Sequence, residues 1–208
     1  MRPACQADTA TGNRTGGDAT VPAAARPLPV LVVISGPPGS GKTTLAHELA
    51  RAVGCPAVCR DEIKEGMAHV TPGFVPAPGD ELTRRTLPVF FAVLELLLRA
   101  GVTTVADAAF QDKVWRPRLE PLRRLARLRI VQCVAGADVA MDRILRRASA
   151  SPLRRAHADP GPRQRAAQAR AYAAFDRVAV DAPSIEVETT DGYRPGLAEI
   201  AAFVSRPG

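Results

Sequence analysis

Nine consecutive residues, Gly36 to Thr44 reading GPPGSGKTT, limit this chain to few architectures. They place Gly36, Gly41, Lys42 and Thr43 at the defining positions of the pattern G-x-x-x-x-G-K-[ST]. Glycines let the backbone curl so that successive N–H groups point inward at phosphate oxygens. A helix starting behind the loop adds the positive end of its dipole. Lys42 is spaced to reach the β- and γ-phosphates of a nucleotide, and the Thr43 hydroxyl to ligate Mg²⁺. Pro37 and Pro38 stiffen the loop but carry no N–H, so the donors must come from Gly39, Ser40, Gly41, Lys42, Thr43 and Thr44. The flanks agree. Pro29 to Ser35 is a short apolar run rich in β-branched residues, as a buried parallel strand requires. Leu45, Leu49, Ala52 and Val53 share one helical face, and Gly54 suits a C-cap. A glycine-rich turn that binds nothing would need neither flank.

At 208 residues the chain is expected to form one domain, 28–208, behind a disordered tail, 1–27, of Ala, Thr, Gly and Pro. Hydrophobic residues make up 46% and aromatics only 4%, which predicts a core built from Ala, Val and Leu. The net charge of +7 is uneven: Asp112 to Arg177 holds sixteen Lys and Arg against six Asp and Glu. Such a block attracts phosphate or nucleic acid, or it is a solvated arginine-rich helical surface, and both readings stand. The cysteines are Cys5, Cys55, Cys59 and Cys133. They form no C-x-x-C pair and have no neighbouring His at a zinc spacing, so Cys55 and Cys59 read as small buried hydrophobes beside a strand. No signal-peptide pattern and no apolar run of membrane-spanning length appears, which predicts a soluble cytoplasmic protein with reduced thiols.

Further along, Pro56 to Cys59 forms a second strand running into Arg60, Asp61 and Glu62. A carboxylate at the carboxyl end of such a strand sits where open α/β sheets bind ligands. Asp61 could accept a proton from an attacking hydroxyl, or cap a helix over Glu62 to Met67; the two roles are compatible. Val70 to Asp80 is a Pro- and Gly-containing loop, expected to move over the substrate site. Glu81 to Ala100 reads as a long helix with Phe90, Phe91, Leu94, Leu97 and Leu98 on its apolar face and Pro88 as a kink. Val102 to Ala106 is a third strand closing in Asp107. That carboxylate resembles a Walker B residue of a Mg²⁺ shell, or else is a turn residue at a strand end. No Glu follows it, which weighs against a machine-type ATPase.

Val114 to Leu128 reads as a basic helix and Arg129 to Ala135 as the fourth strand. Asp138 is expected to cap a helix bearing Arg143, Arg146 and Arg147, of which Arg143 and Arg147 share a face. This helix feeds a polar stretch, Ser149 to Pro162, with Arg154 and Arg155, and looks like an arginine-rich lid. Its arginines would neutralise charge on a transferring phosphoryl group, or are plain surface charge. An Ala/Arg helix over Arg163 to Val178, a fifth strand over Ser184 to Thr189 and a last helix over Pro195 to Val204 complete an α/β chain. Five strands alternating with helices predict a parallel sheet covered on both faces.

From Val30 to Val204 the sequence resembles the small P-loop kinases related to polynucleotide kinase, zeta toxin and chloramphenicol phosphotransferase. The resemblance rests on GPPGSGKTTLA, on RDEIK after the second strand, on Asp107, on AD followed by RILRR, and on ETTDG. It implies a P-loop NTPase fold with strand order 2-3-1-4-5. It implies that Asp61 is the base near the γ-phosphate, that Arg60 and Lys64 face the acceptor, and that Thr190, Asp191 and Gly192 pass near the adenine. The group often carries Arg where Lys64 stands, and no motif diagnostic of one substrate is present. The expected activity is transfer of the γ-phosphoryl group of ATP, with Mg²⁺, to a hydroxyl of a small molecule, nucleotide or nucleic-acid end. The small molecule is favoured. Lys42, Asp61, Arg143 and Arg147 would be catalytic, and Thr43 and Asp107 would hold the metal. The same chemistry aimed at a nucleotide sugar, as a toxin, is a second reading. A nucleotide-binding switch or accessory ATPase without an acceptor is a third. A nucleic-acid binder is a fourth, short of interleaved aromatics because Trp115 and Tyr172 stand almost alone in the basic block. No N-K-x-D motif or ABC-type signature supports a GTPase or transporter subunit.

Overall fold

All six residues of β1 (Val30–Ser35) are buried. A strand with no polar face has to be covered on both sides and flanked on both edges. In the computed structural model it is. The structure describes residues 27–150, 156–157 and 165–206. β1 pairs in parallel with β3 (Thr104–Asp107) on one side and β4 (Arg127–Val134) on the other. β2 (Ala57–Cys59) lies beyond β3, and β5 (Ser184–Glu188) beyond β4, again in parallel. The strand order is therefore β2-β3-β1-β4-β5, as the family resemblance implies.

The alternation of β1 divides the interior in two. Leu31 and Val33 join Phe90, Leu94, Phe110 and Trp115 under one face. Val30, Val32 and Ile34 join Leu45, Leu49, Ile200 and Val204 under the other. Fully burying one such side chain contributes roughly 1.5–3 kcal/mol. The first core draws on α3 (Glu81–Arg99) and α4 (Asp112–Leu119), the second on α1 (Lys42–Val53) and α7 (Leu197–Ser205). Four of the nine aromatics, Phe90, Phe91, Phe110 and Trp115, cluster in the first core: Phe110 and Trp115 stack edge-on at 4.7 Å, with Phe90 6.1 Å from Trp115.

The remaining helices are α2 (Arg60–His69), α5 (Ala137–Ala150) and α6 (Arg165–Ala173). Several boundaries differ from expectation, among them α6, which ends at Ala173 and not at Val178. The basic helix stops at Leu119 and continues only as a 3₁₀ turn over Glu120–Arg124. Pro121 cannot donate to an α-helical ladder, and Arg127 and Leu128 are drawn into β4. α5 already begins at Ala137, so Asp138 lies inside its first turn instead of capping it, where its charge still complements the helix dipole. α2 starts directly at Arg60, which puts Asp61 in the first turn. Arg154, Arg155, Arg163 and the tail 1–26 lie outside the described residues. Among the described residues no helix is long and apolar enough to cross a membrane.

Candidate active site

The loop between β1 and α1 takes its shape from its glycines. Gly39 has φ 81°, a left-handed conformation that L side chains rarely adopt. A Cβ there would also strike the carbonyl of Ala140 in α5. The loop is closed by the Ser40 N–H donating to Pro37 O at 3.2 Å and by Lys42 Nζ donating to the same oxygen at 3.0 Å. Burial pulls the Lys42 pKa below its ordinary value, against the opposing pull of Asp107, Cys133 and Asp61. A desolvated ammonium of this kind gains when an anion arrives beside it.

Asp107 ends β3, in register with Ile34 of β1 and Cys59 of β2. It is 3% exposed. Thr43 Oγ1 donates to its Oδ2 at 2.6 Å. Its other oxygen, Oδ1, is buried and has no hydrogen-bond donor among the described residues. Burial pushes this carboxyl up, and the Lys42 charge and the Thr43 hydroxyl pull against that shift. A buried carboxylate oxygen without a donor, beside a hydroxyl at the mouth of a phosphate loop, suits a hard cation with oxygen ligands. Thr43 and Asp107 thus fit Mg²⁺.

Two clefts meet at this point. One, of about 390 Å³, is bordered by Gly41, Thr43, Thr44, Arg147, Gly192 and Tyr193. The other, of about 440 Å³, is bordered by Thr43, Thr44, Asp61, Glu62, Glu65 and Arg147. Thr43, Thr44 and Arg147 belong to both. The second cleft brings Asp61 to the helix that follows the phosphate loop.

The two arginines expected to act together have different surroundings. Arg143 is occupied by main chain: Nη2 donates to Thr189 O at 2.6 Å and Thr190 O at 3.2 Å, and Nη1 to Gly39 O at 3.4 Å. It ties α5 to both the phosphate loop and the end of β5. Arg147, one turn later, sits at the junction of the clefts. The acceptor-side pair also separates. Arg60 stays beside Asp61, with Nη1 3.3 Å from Asp61 Oδ1 and Nη2 donating to Thr83 O at 3.2 Å. Lys64, expected to face the acceptor, is instead 4% exposed, with Nζ 2.8 Å from Asp80 Oδ2. It points back because α2 packs against the N-terminus of α3, where Asp80 is the cap and accepts from Thr83 N at 2.7 Å. Of the segment after β5, Gly192 borders the first cleft, the Thr190 hydroxyl accepts from Gly136 N at 3.0 Å, and Asp191 is exposed.

The sequence profile of the AAA domain matches residues 31–175, most of the described chain. The chain belongs to the AAA-domain family. This AAA-domain protein is similar in structure to a candidate kinase from Chloroflexus aurantiacus, at 22% identity and a TM-score of 0.73, covering 85% of this chain and 97% of that one. It is similar to the Mycobacterium tuberculosis APS kinase in complex with AMPPNP and APS, at 16% identity and a TM-score of 0.55, covering 86% and 99%. It is also similar to Chaetomium thermophilum Kti12 in complex with ADP-AlF3, at 18% identity and a TM-score of 0.57, covering 85% and 100%. At these identities the likeness establishes the fold, which is that of the P-loop kinases. No curated protein matches the sequence.

Sequence reasoning passed over several residues of this AAA-domain site. Thr189 is buried, donates from Oγ1 to Ser40 O at 2.8 Å and accepts from Arg143 Nη1 at 3.2 Å. Tyr193 lines the first cleft, and burial, aided by a hydrogen bond with Glu48, pushes its phenol up to about 12. Glu65 lines the second cleft and is paired with His157 at 3.1 Å. Only Thr189 left a trace in the sequence, as a hydroxyl directly after the fifth strand and ahead of Thr190, Asp191 and Gly192. The others depend on helix packing that no local pattern announces.

Proposed function

We propose that this AAA-domain protein transfers the γ-phosphoryl group of ATP to a hydroxyl of a small-molecule acceptor. The observation that carries this reading is the meeting of two clefts at Thr43, Thr44 and Arg147, with Asp61 on the far side. An ATPase without an acceptor needs only the first. The residue after Asp107 is Ala108, so the glutamate that polarises water in machine-type ATPases is missing from that place.

The N–H groups of the phosphate loop and the Lys42 ammonium hold the β- and γ-phosphates. Thr43 and Asp107 would hold Mg²⁺, which when bound would offset charge on the phosphate oxygens. Asp61 orients the acceptor hydroxyl and takes its proton as the new O–P bond forms and the bond to ADP breaks. Arg147 stabilises the charge on the transferring group from the boundary of the clefts. Arg143 positions: it keeps Gly39 and the end of β5 fixed around the nucleotide. The kinase relatives support phosphoryl transfer at the level of the fold, and Kti12 with its bound ADP-AlF3 leaves a nucleotide-driven switch as the second reading.

The test is a transfer assay with γ-labelled ATP, Mg²⁺ and a panel of 5′-hydroxyl oligonucleotides, nucleosides, nucleotide sugars, aminoglycosides, chloramphenicol and small sugars. Label in one small acceptor is expected. Label only in free phosphate, at a rate no acceptor changes, overturns the transferase reading in favour of the switch.

A further inference from the structure

α1 carries two polar residues one helical turn apart, Thr43 and His47. Thr43 reaches Asp107 at the end of β3. His47 reaches the end of the next strand and the helix after it: its Nε2 is 3.7 Å from Cys59 Sγ and 2.7 Å from Glu62 Oε1. The three donor atoms lie within 4.8 Å of one another. In sequence these residues show no metal-ligand spacing; the pairing of β2 with β3 and the packing of α1 on the sheet bring them together.

We propose that His47, Cys59 and Glu62 form a binding site for a transition-metal dication of the zinc class, distinct from the Mg²⁺ site of Thr43 and Asp107. Imidazole, thiolate and carboxylate are the donor set that such ions take, and three protein ligands leave a fourth position open. The geometry fits. Tetrahedral coordination, with S and N at zinc-like bond lengths, separates the two donors by about 3.5 Å; His47 and Cys59 stand at 3.7 Å. Nitrogen and oxygen donors require about 3.3 Å. The carboxylate of Glu62 therefore has to draw back from its present 2.7 Å, and its side chain, 48% exposed, has the room. His47 and Glu62 both border the second cleft, which gives the ion a way in.

The electrostatics favour a cation at this point. Cys59 stands level with Asp107 in the sheet, and Asp61 and Glu62 border the same cleft as His47, so three carboxylates surround the point. A dication relieves that potential: as the sulfur–metal bond forms, the S–H proton leaves to solvent and the sulfur binds as thiolate. Without a metal, His47 and Glu62 form an ion pair and the Cys59 thiol is hydrogen-bonded to the same imidazole nitrogen; a dication would bind all three donors at once. An occupied site would join α1, β2 and α2 beside Asp61. Only that consequence for the acceptor side rests on the phosphotransferase reading; the site itself does not.

The experiment titrates the full chain, without an affinity tag, with Co²⁺ in Mg²⁺-containing buffer under a non-thiol reductant. It reads the thiolate-to-cobalt charge-transfer absorption and the visible ligand-field bands. One equivalent of Co²⁺ is expected to develop both, and Zn²⁺ to bleach them. Cys59→Ser should abolish the charge-transfer band, while Cys55→Ser leaves it. Because Cys59 is buried and its variant is at risk of misfolding, His47→Ala and Glu62→Gln serve as surface tests. Each should weaken Co²⁺ binding by about 10-fold or more. No thiolate band at one equivalent, or a band that survives both His47→Ala and Glu62→Gln at full affinity, overturns the proposal.

Discussion

The hydroxyl of Thr43 donates to the buried carboxylate of Asp107 at 2.6 Å, across sixty-four residues of chain. Burial raises the Asp107 pKa in the folded protein. The sign follows from linkage: above the folded pKa the ionised carboxylate costs stability, and that cost fades as pH falls toward the unfolded value. Asp107→Asn keeps an oxygen for Thr43 and removes the charge. In metal-free buffer at neutral pH the variant should therefore melt higher, by about 2–4 °C for each kcal/mol recovered. Transfer with Mg²⁺ should fall by about 10²-fold or more. Calorimetry and the transfer assay read the two effects, and undiminished turnover would remove Asp107 from the metal site.

Asp61→Asn and Lys42→Met separate chemistry from binding. The Asn variant should retain ATP affinity and lose about 10²–10⁴-fold in transfer. The Met variant should lose affinity for ATP as well as transfer. Its ligand-free stability should change little, because the desolvation relieved at a half-buried ammonium is offset by the lost hydrogen bond to Pro37 O. Since the Lys42 pKa is lowered, ATP affinity of the unaltered protein should also weaken with rising pH before ordinary lysines titrate. Isothermal titration across pH checks this; normal transfer by Asp61→Asn would refute the assignment of the base.

Arg143→Met and Arg147→Met should part company. Losing Arg143 releases Gly39, Thr189 and Thr190, so KM for ATP should rise and the melting temperature drop. Hydrogen bonds from a charged donor are worth about 1.5–3 kcal/mol each where burial is complete, and less in this half-buried setting. Losing Arg147 should lower kcat with little change in stability. Equal effects of both variants on kcat, with no change in melting, would return Arg143 to a direct role.

The buried pair of Lys64 and Asp80 predicts an acid limb of stability. Burial pushes the Asp80 carboxyl up, but the Lys64 ammonium and the N–H groups of Thr83 and Ala77 outweigh it and hold the pKa well below the usual range. A depressed folded pKa gives stability that is present above the unfolded value and is lost as pH falls below about 4. Lys64→Met leaves a buried carboxylate without its cation and should cost about 3–5 kcal/mol at neutral pH, where breaking a buried pair is most severe. Denaturant midpoints between about pH 2 and 7 test it; a variant as stable as the parent would show that the pair carries no stabilisation.

What the sequence disclosed, and what it withheld, follows from how local each feature is. The phosphate loop, β1 and the face of α1 were readable because their signals lie within one short stretch, from Pro29 to Val53. The strand order followed from the family resemblance carried by those same motifs. Asp107 could be found because a strand ends on it. The partner of Lys64 could not, because Asp80 belongs to the next helix and the contact depends on how α2 and α3 cross. The break of the basic helix at Pro121 was visible in principle, but the charge pattern on both sides suggested continuity. His47 and Cys59 shared no spacing at all until two strands and a helix were assembled.

The guanidinium of Arg143 joins Gly39 to Thr189 and Thr190, near opposite ends of the described chain. A fragment ending before Val187 would contain every residue of GPPGSGKTT and still lack the carbonyls on which this strut rests. Grafted or truncated versions of the loop should thus bind phosphate less well than its unbroken text suggests. The motif is contiguous as writing, but its rigidity is borrowed from the segment that follows the last strand in the chain.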